Sequence, residues 1–116
     1  MQRVAFVMRV KEGQQQEYIR RHQNVWPEVE ADLKRAGFHR MSIFISGLQL
    51  FVYMEVDDYE QAARSLAQSS ESVRWEEHMV PILENAEGDT YDPNSAYPEG
   101  LPEVYFWQAS GSTTGR

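Results

Sequence analysis

An α+β sandwich with the element order β-α-β-β-α-β is the fold this sequence predicts, and three patterns carry it. Val4, Phe6, Met8 and Val10 alternate with Ala5, Val7 and Arg9, the period of two expected of a strand with one buried face. Residues 41–44 and 48–56 are two further apolar, β-prone runs, and Ser46-Gly47 between them reads as a hairpin. Helical spacing fills the stretches that follow the first and third strands. Together with a closing strand at residues 104–107, this order is the ferredoxin-like arrangement.

The elements follow in turn. Lys11-Glu12-Gly13 turns the chain after the first strand, and residues 14–36 then carry a helical register ended by Gly37. Ile19, Trp26, Val29 and Leu33 recur on one face, and His22 falls between Ile19 and Trp26. Pro27 removes a backbone hydrogen bond inside that register, so a kink near Trp26 or two abutting helices are expected. Asp57-Asp58 can cap a second helix at 59–67, the Ser69-Ser70 pair breaks it, and 73–83 reads as a short third helix with Pro81 near its end. Residues 85–102 are rich in Asp, Pro, Gly, Asn and Ser and form a long loop. A single domain over 1–108 is expected, with a small polar tail at 109–116 that reads as disordered.

Four strands with helices on one face leave the other face bare. That face would present residues near Phe6, Phe44, Tyr53 and Tyr105, too apolar to stay wet, so a homodimer packed sheet to sheet is expected.

Charge narrows the partners. A formal net charge of −7 lacks the basic face of a nucleic-acid binder and repels an anionic membrane surface. A small neutral molecule or another protein fits better. No cysteine is present, which removes disulfides and thiolate metal sites. The first ten residues lack the apolar run of a signal peptide, and no segment reaches the roughly 20 apolar residues of a membrane span. A cytoplasmic protein is expected.

The chemistry-bearing residues cluster in one place. Tyr18 and His22 stand at i and i+4, so a phenol and an imidazole project from one helix face. An imidazole facing a sheet is either a satisfied core residue or a proton-transfer group in a pocket, and the residues alone leave both open. His39 reads as a surface residue, and Arg20 and Arg21 as solvated ion-pair partners. None of the histidines has the His-Glu-x-x-His spacing of a zinc protease, so no metal is expected. Neither a Gly-x-Ser-x-Gly elbow nor a glycine-rich phosphate loop occurs. Of the three tryptophans, Trp107 reads as core or dimer packing, while Trp75 beside the long loop could stack on the apolar face of a sugar.

At these residues the chain resembles the L-rhamnose mutarotase family. The resemblance runs through Ala5-Phe6-Val7-Met8, Glu17-Tyr18, Arg20-Arg21-His22, Trp26-Pro27-Glu28, Gly37, Ser42-Ile43-Phe44, Arg74-Trp75 with Met79, and Glu103-Val104-Tyr105-Phe106. It implies a ferredoxin-like subunit that dimerises through its sheets, and a cofactor-free isomerase interconverting the α and β anomers of a 6-deoxy sugar. By position it implies His22 as the acid/base residue, Tyr18 as a substrate-binding partner and Trp75 as a pocket wall. From this resemblance and their shared inward face, His22 is expected to protonate the ring oxygen as general acid, with Tyr18 positioning the sugar or relaying the second proton.

The chain departs from the family at pocket positions. Met41 stands where the family has a tyrosine, Trp75-Glu76 replaces a tandem tryptophan, and His78 replaces a nearby tyrosine. Met41, Glu76 and His78 are therefore candidate substrate-binding residues beside Tyr18 and Trp75. The family's Asn-Pro-Asp-Asn loop is not reproduced, and residues 84–100 are longer and differently composed. L-Rhamnose is the leading substrate and L-fucose a second. A non-catalytic dimeric ligand-binding or regulatory module is the alternative, with a ferredoxin-like monooxygenase beside it.

Overall fold

A computed structural model describes residues 1–109. The expected tail from residue 110 onward lies outside the described residues. Four strands form one antiparallel sheet in the order β2-β3-β1-β4. They are β1 (Gln2–Val10), β2 (Phe38–Ser46), β3 (Gln49–Val56) and β4 (Leu83–Glu84). Between β1 and β2 run α1 (Gln15–Arg21) and α2 (Pro27–Ala36), and between β3 and β4 run α3 (Tyr59–Ala67) and α4 (Ser70–Met79). The two crossovers pack against one another over a single face, which is the ferredoxin-like arrangement.

Local chemistry explains the helix boundaries. The first helical stretch is two abutting helices, because His22–Asn24 tightens into a 3₁₀ turn and Val25 and Trp26 adopt extended backbone. Pro27 then occupies the first turn of α2, where its missing N–H costs nothing. Gly37 ends α2 at φ +102°, a left-handed conformation that a side chain would strain. The Asp58 side chain accepts a hydrogen bond from the Gln61 N–H and caps α3, and Ser69 caps α4 from Ser72. Gly47, at φ +59°, turns the hairpin between β2 and β3.

Parity decides which face each strand residue occupies. Phe6, Met8 and Val10 of β1 and Leu50, Val52, Met54 and Val56 of β3 lie buried beneath the helices. The opposite face carries Val7, Phe44, Phe51 and Tyr53, so the expected bare apolar face exists but Phe6 is not on it. A bulge between Phe38 and Arg40 shifts the alternation of β2 by one residue, and this turns Met41 and Ile43 toward the helices.

The end of the chain corrects three expectations. α4 begins at Ser70 and stops at Met79, where Val80–Ile82 winds into a 3₁₀ turn around Pro81. That turn delivers Leu83 opposite Val10, so the fourth strand is the two-residue β4 and not residues 104–107. Residues 101–107 instead run beside β1 with a single backbone bond, Leu101 N–H to the Ala5 carbonyl at 2.8 Å. Arg3 anchors this arm by two 3.0 Å bonds to Glu103 and by lying 3.5 Å over the Phe106 ring. Val104, Tyr105 and Trp107 are left exposed, so Trp107 is not core of the subunit.

Candidate active site

The register of α1 is set by Tyr18 and not by Ile19. Tyr18 is buried, whereas Ile19 is exposed on the outer surface. His22, one turn on, follows Tyr18 inward at the start of the 3₁₀ turn. Their rings lie 4.3 Å apart between centroids, and His22 Nδ1 is 3.1 Å from the Tyr18 carbonyl. A carbonyl can only accept, so Nδ1 carries the proton and Nε2 is the basic nitrogen of the neutral ring.

Both side chains line a cavity of about 360 Å³ between the sheet and the helices. This is at the small end of the ~300–1,000 Å³ range for small-molecule pockets. Its floor is Phe6, Met8 and Val52, and α2 contributes Val29 and Leu33. Met41 and Ile43 reach it from β2 by virtue of the bulge, while α4 supplies Trp75 and Glu76. Trp75 is buried, with its ring edge-on to His22 at 5.7 Å and to Trp26 at 5.2 Å. Arg21 ties α1 to α4: its Nε donates to Glu17 at 2.7 Å and its Nη1 donates to the His78 carbonyl.

The long loop closes one side. Asn85 caps a tight turn by accepting from the N–H groups of Glu87 and Asp89, and Tyr59 donates its hydroxyl to the Pro98 carbonyl at 2.6 Å. So pinned, the loop sends Tyr91, Ala96 and Tyr97 into the cavity wall. Tyr97 packs edge-on to Phe6 and tilted against Phe38. Sequence reasoning missed both tyrosines. The only signal for them was the presence of two phenols in an otherwise polar loop.

The electrostatics follow from burial. Desolvation disfavours the imidazolium and lowers the pKa of His22, against a smaller opposing effect of the Tyr18 carbonyl. Burial likewise pushes the Tyr18 phenol well above its ordinary value, with the Glu76 carboxylate adding to it. Desolvation raises Glu76 to about 7, partly offset by the hydrogen bond it accepts from the Tyr91 hydroxyl. The site therefore offers a neutral imidazole, neutral phenols and a carboxyl poised to exchange a proton near neutral pH.

Of the candidate site residues, the fold brings His22, Tyr18, Trp75, Met41 and Glu76 to one cavity. His78 is not in its wall. It sits exposed behind the tryptophans, with its ring 5.5 Å from Trp26 and 5.9 Å from Trp75 between centroids. His39 lies on the surface, 2.7 Å from Asp57. Among the described residues no group of three or more His, Asp or Glu side chains could hold a metal ion, and no helix is long and apolar enough to cross a membrane.

Comparison with known proteins identifies the family and the fold. The family model for L-rhamnose mutarotase matches residues 3–106. The chain is 36% identical over 108 residues to an L-rhamnose mutarotase of Yersinia pestis (strain Pestoides F), covering 91% of this chain and 98% of the relative. The same figures hold for that of Yersinia pseudotuberculosis serotype O:1b (strain IP 31758). The crystal structure of an L-rhamnose mutarotase from Formosa agariphila superposes with a TM-score of 0.76 at 30% identity, covering 93% of this chain and all of that one.

Proposed function

The chain belongs to the L-rhamnose mutarotase family, and we propose that it interconverts the α and β anomers of L-rhamnose with His22 as the proton-transfer group. Mutarotation removes the proton of the anomeric hydroxyl and adds one to the ring oxygen. The C1–O5 bond then opens to the aldehyde, C1–C2 rotates, and the ring closes on the other face. Only protons move, so the chemistry asks for positioned acids and bases and for no redox or Lewis-acid partner.

The observation that carries the reading is the Nδ1 bond of His22 to the Tyr18 carbonyl at 3.1 Å, which leaves Nε2 as the base beside a sugar-sized cavity. The lowered pKa supports entry into the cycle as the neutral base at the anomeric hydroxyl, in place of the ring-oxygen acid expected from the sequence. His22 thus accepts the anomeric proton on opening and returns it on closing, so it acts as the acid in the second half. Tyr18, a phenol held neutral, donates or accepts a hydrogen bond at the sugar without ionising. Trp75 and Met41 supply apolar wall against the C–H faces of the ring and its methyl group.

We further infer a homodimer joined at the bare sheet face. Phe44 and Phe51 stand opposite one another on β2 and β3 and are 63% and 40% exposed, with Val7 alongside on β1. A second copy of the same face covers them by two-fold symmetry. Family membership favours the enzyme over the regulatory-module and monooxygenase readings. Anomer exchange of L-rhamnose followed by NMR tests the activity directly, with L-fucose as the comparison sugar: acceleration of L-rhamnose exchange supports the reading, and its absence removes it.

A further inference from the structure

Ring opening moves two protons, and one neutral imidazole serves only one end of that exchange. We propose that Glu76 is the second catalytic acid/base group, delivering a proton to the ring oxygen while His22 accepts the one from the anomeric hydroxyl. The proposal rests on the mutarotase reading and names the partner that reading leaves open.

Position supports it first. Glu76 lines the same cavity as His22, and it also lines an adjoining cavity of about 310 Å³ between α3, α4 and the loop. Glu76 therefore stands between the two spaces, with its carboxyl held by the Tyr91 hydroxyl, itself in the wall of the cavity that His22 lines. On α4 it follows Trp75, whose ring is edge-on to His22, so the helix that walls the imidazole also presents the carboxyl.

Its surroundings favour the acid form without locking it. The Tyr91 hydroxyl donates to Glu76 Oε1. The other titratable groups lining that cavity are Tyr18 and His22 from α1 and its following turn, Tyr91 and Tyr97 from the loop, and Glu30 from α2. Arg64 of α3 borders the adjoining cavity, with its guanidinium 3.8 Å from Glu60. At Glu76 desolvation dominates and the Tyr91 bond opposes it, so the carboxyl is pushed up to about 7. A neutral carboxyl beside a neutral imidazole is the starting state an acid–base pair needs.

The step balances. On opening, His22 Nε2 takes the O1 proton, the C1–O5 bonding pair passes to the ring oxygen, and the Glu76 carboxyl protonates that oxygen. An imidazolium, a carboxylate and the open aldehyde result. Tyr91 stabilises the new carboxylate through the hydrogen bond it already makes. After rotation about C1–C2, the carboxylate takes the proton of the C5 hydroxyl, the C1–O5 bond re-forms, and the imidazolium returns its proton to the carbonyl oxygen.

The test is the pH dependence of L-rhamnose anomer exchange in wild type, Glu76→Gln and Glu76→Asp, with fold checked by circular dichroism and Glu carboxyl titration read by ¹³C NMR. Wild type should give a bell-shaped kcat/KM that falls above about pH 7. Glu76→Gln should lower kcat by about 10²-fold or more, with a smaller change in KM, and should lose the alkaline limb. Glu76→Asp, which keeps an ionisable carboxyl, should recover part of the rate together with the limb. The proposal is overturned if Glu76→Gln keeps the wild-type kcat and alkaline limb, or if the carboxyl signal absent from that variant titrates near the ordinary 4.5. A wild-type protein that accelerates no exchange overturns both readings, whereas active wild type with an unaffected Glu76→Gln overturns this one alone.

Discussion

His22 rests against the ring of Tyr18, centroids 4.3 Å apart, and its Nδ1–H donates a hydrogen bond to the carbonyl of that same residue. One residue thereby fixes both the plane and the tautomer of the imidazole. The end of α1 makes this possible, because the 3₁₀ turn at His22–Asn24 directs the imidazole into the cavity one turn after Tyr18.

The first consequence is an acidic limb in the rate profile. Catalysis needs the neutral imidazole, and desolvation lowers the pKa of His22 below its ordinary 6.5. The limb in kcat/KM, which reports the free enzyme, should therefore lie below 6.5, and the rate should rise with pH through it. The same shift acts on stability. The unfolded chain binds more protons at this site between its own pKa and the lower folded one, so stability should fall as pH drops through that interval. A limb above 6.5 would place His22 in a solvated or carboxylate-paired setting that its geometry does not show.

Glu76 has the opposite sign. Its folded pKa is raised from 4.5 to about 7, so the folded state binds more protons across that interval and loses stability as pH rises through it. Glu76→Gln removes the cost of a desolvated carboxylate. The variant should gain Tm relative to wild type at pH 8 and show a smaller gain, or none, at pH 5. Melting curves at the two pH values decide it; an equal difference at both would mean that the carboxyl titrates alike in folded and unfolded chains.

Asp32 links α2 to the start of α4. Its buried carboxylate accepts the Ser72 hydroxyl at 2.8 Å, as well as the Ser69 hydroxyl and Arg35. Asp32→Ala should destabilise the fold by about 1.5–3 kcal/mol, the range for hydrogen bonds to a charged group. Chemical denaturation measures this, and a loss well below 1 kcal/mol would show that the network is not held in solution.

The sheet face gives a prediction about assembly. Phe44→Glu places a charge where a second copy is expected to pack, on a side chain that is exposed in the subunit. Sedimentation should find dimeric wild type and monomeric Phe44→Glu, with unchanged far-UV circular dichroism. Equal masses for the two proteins would remove the sheet-to-sheet dimer.

Much of this was legible in the sequence. The strand alternation of β1, the α3 boundaries, the Gly37 stop and the break at Pro27 each rest on local chemistry that acts within a few residues, and each is found where the pattern put it. Phe6 was assigned to the wrong face because alternation gives the period of a strand but not which parity meets the helices. Ile19 misled for a related reason: in a seven-residue helix a buried Tyr18 and an exposed Ile19 fit the spacing as well as the reverse. The apolar 104–107 run reads as the closing strand, yet a two-residue β4 pairs with Val10 instead, and only the sheet register reveals that choice. Tyr91 and Tyr97 reach the cavity through loop contacts with partners far off in sequence, such as Tyr59 to Pro98, which no periodic signal encodes.

NMR exchange spectroscopy on the anomeric protons of L-rhamnose, with wild type and His22→Ala side by side, tests the central claim most directly. Wild type should accelerate exchange, and His22→Ala should lose about 10²–10⁴-fold of that acceleration with its fold intact. A folded His22→Ala that exchanges the anomers as fast as wild type would contradict the assignment of His22.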